Sequence, residues 1–438
     1  MEFRGREEEL SILERIRGKS RQRGQMTVVT GRRRMGKTRL IKESLRGERY
    51  LYFFVSRKAE VLLCEEYTAL IRSTYGIEPI GRLTTFREVF AYLLHQARSE
   101  PINLVIDEFQ EFLKVNPSVF ADLQNLWDAS REEVRMNLIL SGSVTSLMRR
   151  IFEHRSEPLF GRVNHRLYVR PLPVADLRGL LKERTGTIIP EDLLCLYLIT
   201  GGVPKYLEEL ADNDAFTKEA ILNAVTDPGN YFLDEGRNVL TEEFGNASST
   251  YFSILTLIAA GRTTRGDIKS VLQKDVGPYL RILAQDYDII SSEQPIFSKP
   301  NARNLRYRID DKFLNFWFRF FFKFKSALEI GNVGFLRQVI ERDYPTYAGM
   351  VLEQLIRQQL AESGAYSRVG RYWRRGNQRE IDVVAINELT KRGVIGEVNL
   401  NPAKVSPPKL RDKSIALEEH LRGYEMEVRG FGLPDLTE

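Results

Sequence analysis

The run GRRRMGKT at residues 31–38 holds the side chains with the clearest chemistry in the chain. Gly31 and Gly36 let the backbone turn tightly and approach an anion that a Cβ would keep away. The amides of Arg34, Met35, Gly36, Lys37 and Thr38 then point inward. A helix starting there, with Arg39 in its first turn, adds its partial positive charge. Lys37 is placed to reach the β- and γ-phosphates of ATP, and the Thr38 hydroxyl to hold Mg²⁺. Two acids, Asp107 and Glu108, close the apolar run INLVID. Asp107 is expected to bind Mg²⁺ through water, and Glu108 to orient and polarise the attacking water. The plainer readings are a glycine-rich turn before Lys-Thr and an acidic pair that only caps the next helix.

Other residues join this set with a plain alternative beside each. Ser141 and Ser143 close the strand-like Asn137–Leu140, where a hydroxyl senses a γ-phosphate or caps a helix beginning near Val144. Arg162, in PLFGR, is the candidate arginine finger for its own or a neighbouring subunit's nucleotide, with Arg166 as runner-up. A structural salt bridge serves Arg162 equally well. Arg6, just before the first amphipathic helix, flanks a bound base or is solvated. Pro204, in TGGVPKYL, suits the first turn of a helix whose start and hinge lie near the nucleotide.

The elements needed to position these residues are legible as strands and helices. Met26–Thr30 is an apolar strand leading into the glycine loop, and Tyr50–Ser56 is aromatic and β-branched, hence a strand. Amphipathic helices are expected near Ala59–Ser73 and Thr85–Arg98. Continuous apolar strands such as Ile102–Asp107 belong in a parallel sheet covered on both faces, with ligand chemistry at the carboxyl ends. His165–Val169 is another strand, and Leu172–Asn223 reads as a helical lid.

At 438 residues the chain exceeds one core, and 42% hydrophobic with 28% charged residues describes an ordinary globular protein. Its two cysteines, Cys64 and Cys195, lie in apolar, helix-like surroundings and read as buried thiols of a reducing cytoplasm. No signal stretch opens the chain and no uncharged apolar run spans a bilayer, so no membrane role is expected. The segment FWFRFFFKF (316–324) is too short for a span and carries Arg319 and Lys323, so a buried helix is expected. A net charge of +6 permits a polyanion partner.

GREEEL, GRRRMGKT, LVIDEF, LSGS, PLFGR and GGVPKYL occur in this order in the archaeal-type P-loop ATPases, which the first half of the chain resembles. That family belongs to the AAA+ group and is close to the signalling STAND ATPases. The resemblance implies an α/β core with a parallel sheet in the order 5-1-4-3-2, followed by a helical lid. Residues 1–170 are then the ATPase core and 171–240 the lid.

Residues 241–330 are expected to form a winged helix-turn-helix and an aromatic linker helix. Helices at Tyr251–Ala260, Thr264–Leu272 and Gly277–Asp288 precede a wing of Ile289–Ser298 and Leu305–Ile309, with residues 300–303 at its tip. Lys269, Lys274, Arg281, Lys299, Arg303, Arg306 and Arg308 give it a basic tendency suited to DNA phosphates. Packing against protein is the alternative. The segments YFSIL, YLRIL and YRIDDKFLNFWFRFF also resemble the family's C-terminal region of uncharacterised function.

In residues 331–438, a helix over Gly349–Leu360 carries Glu353, and strands over Arg379–Ala385 and Val394–Leu400 carry Asp382 and Glu397. This arrangement resembles an α/β restriction-endonuclease-like domain, in which Asp382 and Glu397 hold Mg²⁺. Asn399 stands where that family's pattern has lysine, leaving Lys404 or Lys413 to substitute, so the domain is expected to be degenerate.

The leading expectation is a Mg²⁺-dependent ATPase whose nucleotide state switches contacts with DNA or a protein partner, with a homo-oligomer also in view. An ATP-gated metal-dependent DNA nuclease and a slow-hydrolysing signalling or scaffold ATPase are the alternatives.

Overall fold

The computed structural model describes residues 3–143, 145–244, 249–299, 304–374 and 379–437. The chain forms two compact units. One runs to Arg170 and includes Gln285–Tyr287, and the other takes Pro171–Ala284 and everything from Asp288.

The first unit runs α1 (Glu7–Ser20), β1 (Gln25–Thr30), α2 (Lys37–Ser44), β2 (Leu51–Phe54), α3 (Glu60–Tyr75), α4 (Phe86–Gln96) and β3 (Ile102–Asp107). It continues through α5 (Phe112–Val115), α6 (Val119–Ser130), β4 (Met136–Gly142), α7 (Thr145–Glu153) and β5 (His165–Tyr168). All five strands are parallel, in the order β2-β3-β4-β1-β5. This is the order implied by the family resemblance. Every residue of β3 and β4 is buried, as their unbroken apolar runs require. Helices seal one face through Tyr67, Phe86, Phe90, Phe112 and Trp127, all essentially inaccessible. Thr85 and Glu88 exchange hydrogen bonds in a capping box that starts α4.

The second unit opens with helices α8 (Val174–Thr185), α9 (Pro190–Thr200), α10 (Pro204–Asp212), α11 (Lys218–Val225) and α12 (Tyr231–Phe244). Three short helices follow, α13 (Ser249–Ala259), α14 (Arg265–Leu272) and α15 (Gly277–Gln285), then the antiparallel hairpin β6 (Ile290–Glu293) and β7 (Arg306–Ile309). Residues 300–303, expected at the hairpin tip, lie outside the described residues.

The aromatic segment departs from the expected regular helix. After α16 (Lys312–Phe316), the chain widens into a π turn at Trp317–Phe321 and tightens into a 3-10 turn before α17 (Lys325–Glu329). Phe316, Trp317, Phe318, Phe320 and Phe321 are all buried, more than one stripe of a regular helix accommodates. Trp317 donates to the Leu233 carbonyl at 2.9 Å and fills the space beside Gly236, where a Cβ would stand 2.2 Å from the indole.

Then α18 (Val333–Glu362) starts well before the expected Gly349 and passes through Pro345. Its apolar residues, from Leu336 to Ile356, are packed along its length and outweigh one lost backbone bond. The last sheet contains β8 (Arg368–Tyr372), β9 (Ile381–Asn387), β10 (Arg392–Val398) and, after α19 (Pro407–Ser414), β11 (Glu425–Phe431). Its order is β11-β10-β9-β8, with only β10 and β11 parallel.

Lys312 is buried between α9 and α18, where its Nζ donates to Gln354 Oε1 at 2.6 Å. Burial, aided by Arg308, pushes its ammonium down to about 8 from 10.5. A folded value below the unfolded one penalises the fold below pH 8, and the penalty fades as pH rises toward 10.5. Lys312→Met is therefore expected to gain about 2 kcal/mol at pH 7 and much less at pH 10, read by urea unfolding. Equal gains at both pH values would contradict this origin.

Candidate functional site

The glycine loop begins where β1 ends. Gly31 sits at φ 147, and a Cβ there would stand 2.5 Å from the Val169 carbonyl oxygen. The Val169 amide also donates to the Thr30 carbonyl at 2.8 Å, so only glycine keeps this contact between β1 and the chain after β5. Arg34 and Gly36 turn left-handed, at φ 68 and 77, and bring the chain into α2 with Met35 buried between them. Lys37 is buried, with its Nζ donating to the Gly31 and Arg32 carbonyls at 2.7 and 2.9 Å. Its ammonium thus lies against the loop. Arg39 follows in the first turn of α2, 5.9 Å from the Phe3 ring centroid. Arg6 is buried and reaches the loop too, donating to the Met35 and Arg170 carbonyls and pairing with Glu9 at 2.9 Å.

The sheet order brings the acids to the same edge. Asp107 Oδ2 accepts from the Thr38 hydroxyl at 3.0 Å and from the Tyr52 hydroxyl, while Oδ1 accepts from the Glu108 amide at 3.0 Å. Burial, then the Asp107 carboxylate, pushes the Tyr52 phenol above its ordinary range, so it stays a donor. Glu108 occupies a left-handed backbone position, φ 54, and its Oε2 accepts from Ser143 Oγ at 2.8 Å and from Gln110 Nε2. Ser141 is fully buried, and among the described residues its hydroxyl has no hydrogen-bond partner. Tyr52 and Gln110 are site residues that the sequence reading missed. Tyr52 sat in a run read only as a strand, but β2 lies beside β3. Gln110 follows Glu108 by two residues and carried no motif of its own. The hydroxyl, paired carboxylates, ammonium and glycine cradle are a donor set that fits a nucleotide phosphate with Mg²⁺.

Arg162 does not join this edge. It precedes β5 at the amino end of the sheet, whereas the loop leaves the carboxyl end of parallel β1. Its guanidinium pairs with Asp128 at 3.2 Å and donates to the Phe160 carbonyl at 2.7 Å. This is the salt-bridge alternative, not a finger on its own subunit's nucleotide. Arg166 likewise pairs with Glu153 at 3.6 Å. Pro204 belongs to the second unit, at the first turn of α10, after Gly201 and Gly202 at φ 55 and 80.

A model of an ATPase domain predominantly from Archaea matches residues 3–210, and one of archaeal and bacterial proteins of unknown function matches 317–406. An uncharacterised protein of Methanocaldococcus jannaschii is 30% identical over 418 residues, 92% of this chain and 88% of its own. The chain belongs to this archaeal-type ATPase family. The fold agrees with two solved structures. The Walker-type ATPase of Pyrococcus abyssi has a TM-score of 0.55 at 20% identity, covering 72% of this chain and 95% of its own. The ORC2 protein of Aeropyrum pernix, solved as ADPNP–ADP complexes, has a TM-score of 0.50 at 17% identity, covering 78% and 96%. The protein is thus an ATP-binding ATPase, and no described helix is long and apolar enough to cross a membrane.

The second unit carries a half-buried polar cluster around the buried Arg357. Asp382 accepts from the Val398 amide at 2.9 Å, and the Arg357 guanidinium donates to the Asp382 carbonyl at 2.7 Å. Burial pushes the Asp382 carboxyl up, and burial with Asp382 pushes Glu353 up to about 7. Glu397 is paired with Lys413 of α19, while Asn399 lies just past β10. Among the described residues, no cluster of three or more His, Cys, Asp or Glu side chains is arranged to hold a metal ion.

The hairpin's basic residues divide. Arg306 is packed on the Trp373 ring and paired with Glu380 at 2.7 Å, and Arg308 pairs with Asp310 at 3.0 Å. Beyond β6, Ile296 donates to the Arg371 carbonyl at 2.9 Å and enters the core of the last sheet. This face of the hairpin packs on protein. Lys269, Arg281 and Lys299 are exposed, and Lys274 donates to Thr250 Oγ1. Arg303 lies outside the described residues.

Proposed function

We propose that this ATPase is a nucleotide-controlled switch for a DNA or protein partner. The observation that carries the reading is the chain Thr38–Asp107–Glu108–Ser143 along the sheet edge beside the glycine loop. In this reading Lys37 leaves the loop carbonyls for the β- and γ-phosphates, and the amides from Arg34 to Thr38 cradle them. Thr38 and Asp107 hold Mg²⁺, which supplies charge neutralisation on the phosphates. Tyr52 fixes Asp107 by its hydrogen bond. Glu108, oriented by Ser143 and Gln110, accepts a proton from the attacking water. Ser141 senses the γ-phosphate, and Arg6 holds the loop against the end of β5. Residues 171–240 act as the lid, with Pro204 at its hinge, and 241–330 as a winged helix-turn-helix that contacts the partner. The lid closes on ATP and reopens after hydrolysis.

A second reading is favoured by one contact. Lys413 on Glu397 supplies a cation to the acids of residues 331–438 where Asn399 does not, as a metal-dependent nuclease needs. One experiment separates the readings: ATP turnover with and without duplex DNA over a salt series, with the duplex checked for nicks. Stimulation that fades steeply with salt, on intact DNA, supports the switch. Mg²⁺-dependent nicking lost in Asp382→Ala supports the nuclease. Turnover indifferent to DNA moves the switch to a protein partner.

A further inference from the structure

The first unit has a second charged feature, at the end of the sheet away from the glycine loop. A cleft of about 320 Å³ opens where β2, β3 and β4 begin, and four of its lining residues are Arg17, Arg21, Arg49 and Arg135. One carboxylate in the lining, Glu48, is shared by Arg17 at 3.7 Å and Arg21 at 3.3 Å. Arg49 has an acid only at 4.0 Å, Glu100, which is not part of the lining. The Arg135 guanidinium donates to the carbonyls of Arg98 and Ser99. Four guanidinium groups against Glu48 and the more distant Glu100 leave the cleft with an excess of positive charge.

Several of these cations are held in place. The Arg49 guanidinium lies 5.2 Å from the Tyr75 ring centroid, and its carbonyl accepts from Asn103 Nδ2 at 2.9 Å. Arg17 is anchored on the Ser44 carbonyl. Positioning of this kind lowers the entropy lost on binding. The field also extends past the cleft. Arg15, Lys19 and Arg23 alternate with Arg17 and Arg21 in the acid-free run RIRGKSRQR. After burial, Lys19 and Arg15 are what hold the His165 imidazole below its ordinary range.

We infer that this arginine cleft binds the phosphodiester backbone of a nucleic acid. All the lining cations are arginines, whose planar forks match phosphate oxygens, and the basic run beyond them suits a polyanion more than a single phosphate. The inference rests on the reading of nucleic acid as the partner and gives that partner a new address, on the ATPase unit. Arg306 and Arg308 of the hairpin are already paired with carboxylates.

The test is fluorescence anisotropy of a labelled duplex across about 50 to 200 mM salt. The proteins compared are wild type, the triple variant Arg21→Ala/Arg49→Ala/Arg135→Ala, and Lys269→Ala/Arg281→Ala. The triple variant should flatten the log–log salt slope by about 3 and weaken low-salt binding at least about tenfold. Its ATP turnover without DNA should stay unchanged. Arg21→Ala alone removes one exposed cation, should flatten the slope by about 1, and keeps the test valid if the triple variant folds poorly. If the triple variant binds as wild type while Lys269→Ala/Arg281→Ala does not, nucleic acid remains the partner and the cleft is not its site. If wild type binds no duplex, both ideas fall.

Discussion

Glu108→Gln is expected to bind ATP as tightly as wild type and to lose about 10²- to 10⁴-fold in turnover, the range for removing a positioned base. The structure explains why binding should survive. Glu108 is held by Ser143 and Gln110, and a glutamine can still accept from both through its amide oxygen. The Asp107–Thr38 contact is untouched, so the metal side of the site remains. A glutamine amide, however, does not accept a proton from water. The loss should therefore fall on turnover rather than affinity.

Lys37→Ala is expected to fail earlier, at binding, with ATP affinity down at least about 100-fold from loss of a charge-assisted phosphate contact in a buried site. Two costs add. The phosphates lose their ammonium, and the carbonyls of Gly31 and Arg32 lose the donor that now holds the loop. Titration with a fluorescent ATP analogue reads this. An affinity within threefold of wild type would place the phosphates somewhere other than GRRRMGKT.

How much of this was legible beforehand follows from how local each signal is. The glycine loop and the Asp107–Glu108 pair are written contiguously, and an apolar strand before each marks the sheet edge where they meet. The contacts that complete the site cross the sheet. Tyr52 reaches Asp107 because β2 lies beside β3, and Ser143 reaches Glu108 because β4 lies on the other side. Arg162 carried the right side chain on a plausible loop. The parallel pairing of β5 with β1 puts that loop at the opposite end of the sheet.

The second unit was harder for the same reason. Arg306 and Arg308 counted as basic surface, but Glu380 and Asp310 take them up, the first from just before β9, far along the chain. The helix expected over Gly349–Leu360 begins instead at Val333, because α18 runs through Pro345 with apolar residues packed along its length. Lys413 approaches Glu397 from α19, which no E-x-K spacing reveals. The arginine cleft collects residues from four separate stretches, of which only the run after Leu13 stands out in the sequence.

The most direct test counts bound ATP and released phosphate in the same samples of wild type, Lys37→Ala and Glu108→Gln, with Mg²⁺ present. The site described above predicts binding and release for wild type, neither for Lys37→Ala, and near-stoichiometric ATP without release for Glu108→Gln. Phosphate release by Glu108→Gln at the wild-type rate would contradict it.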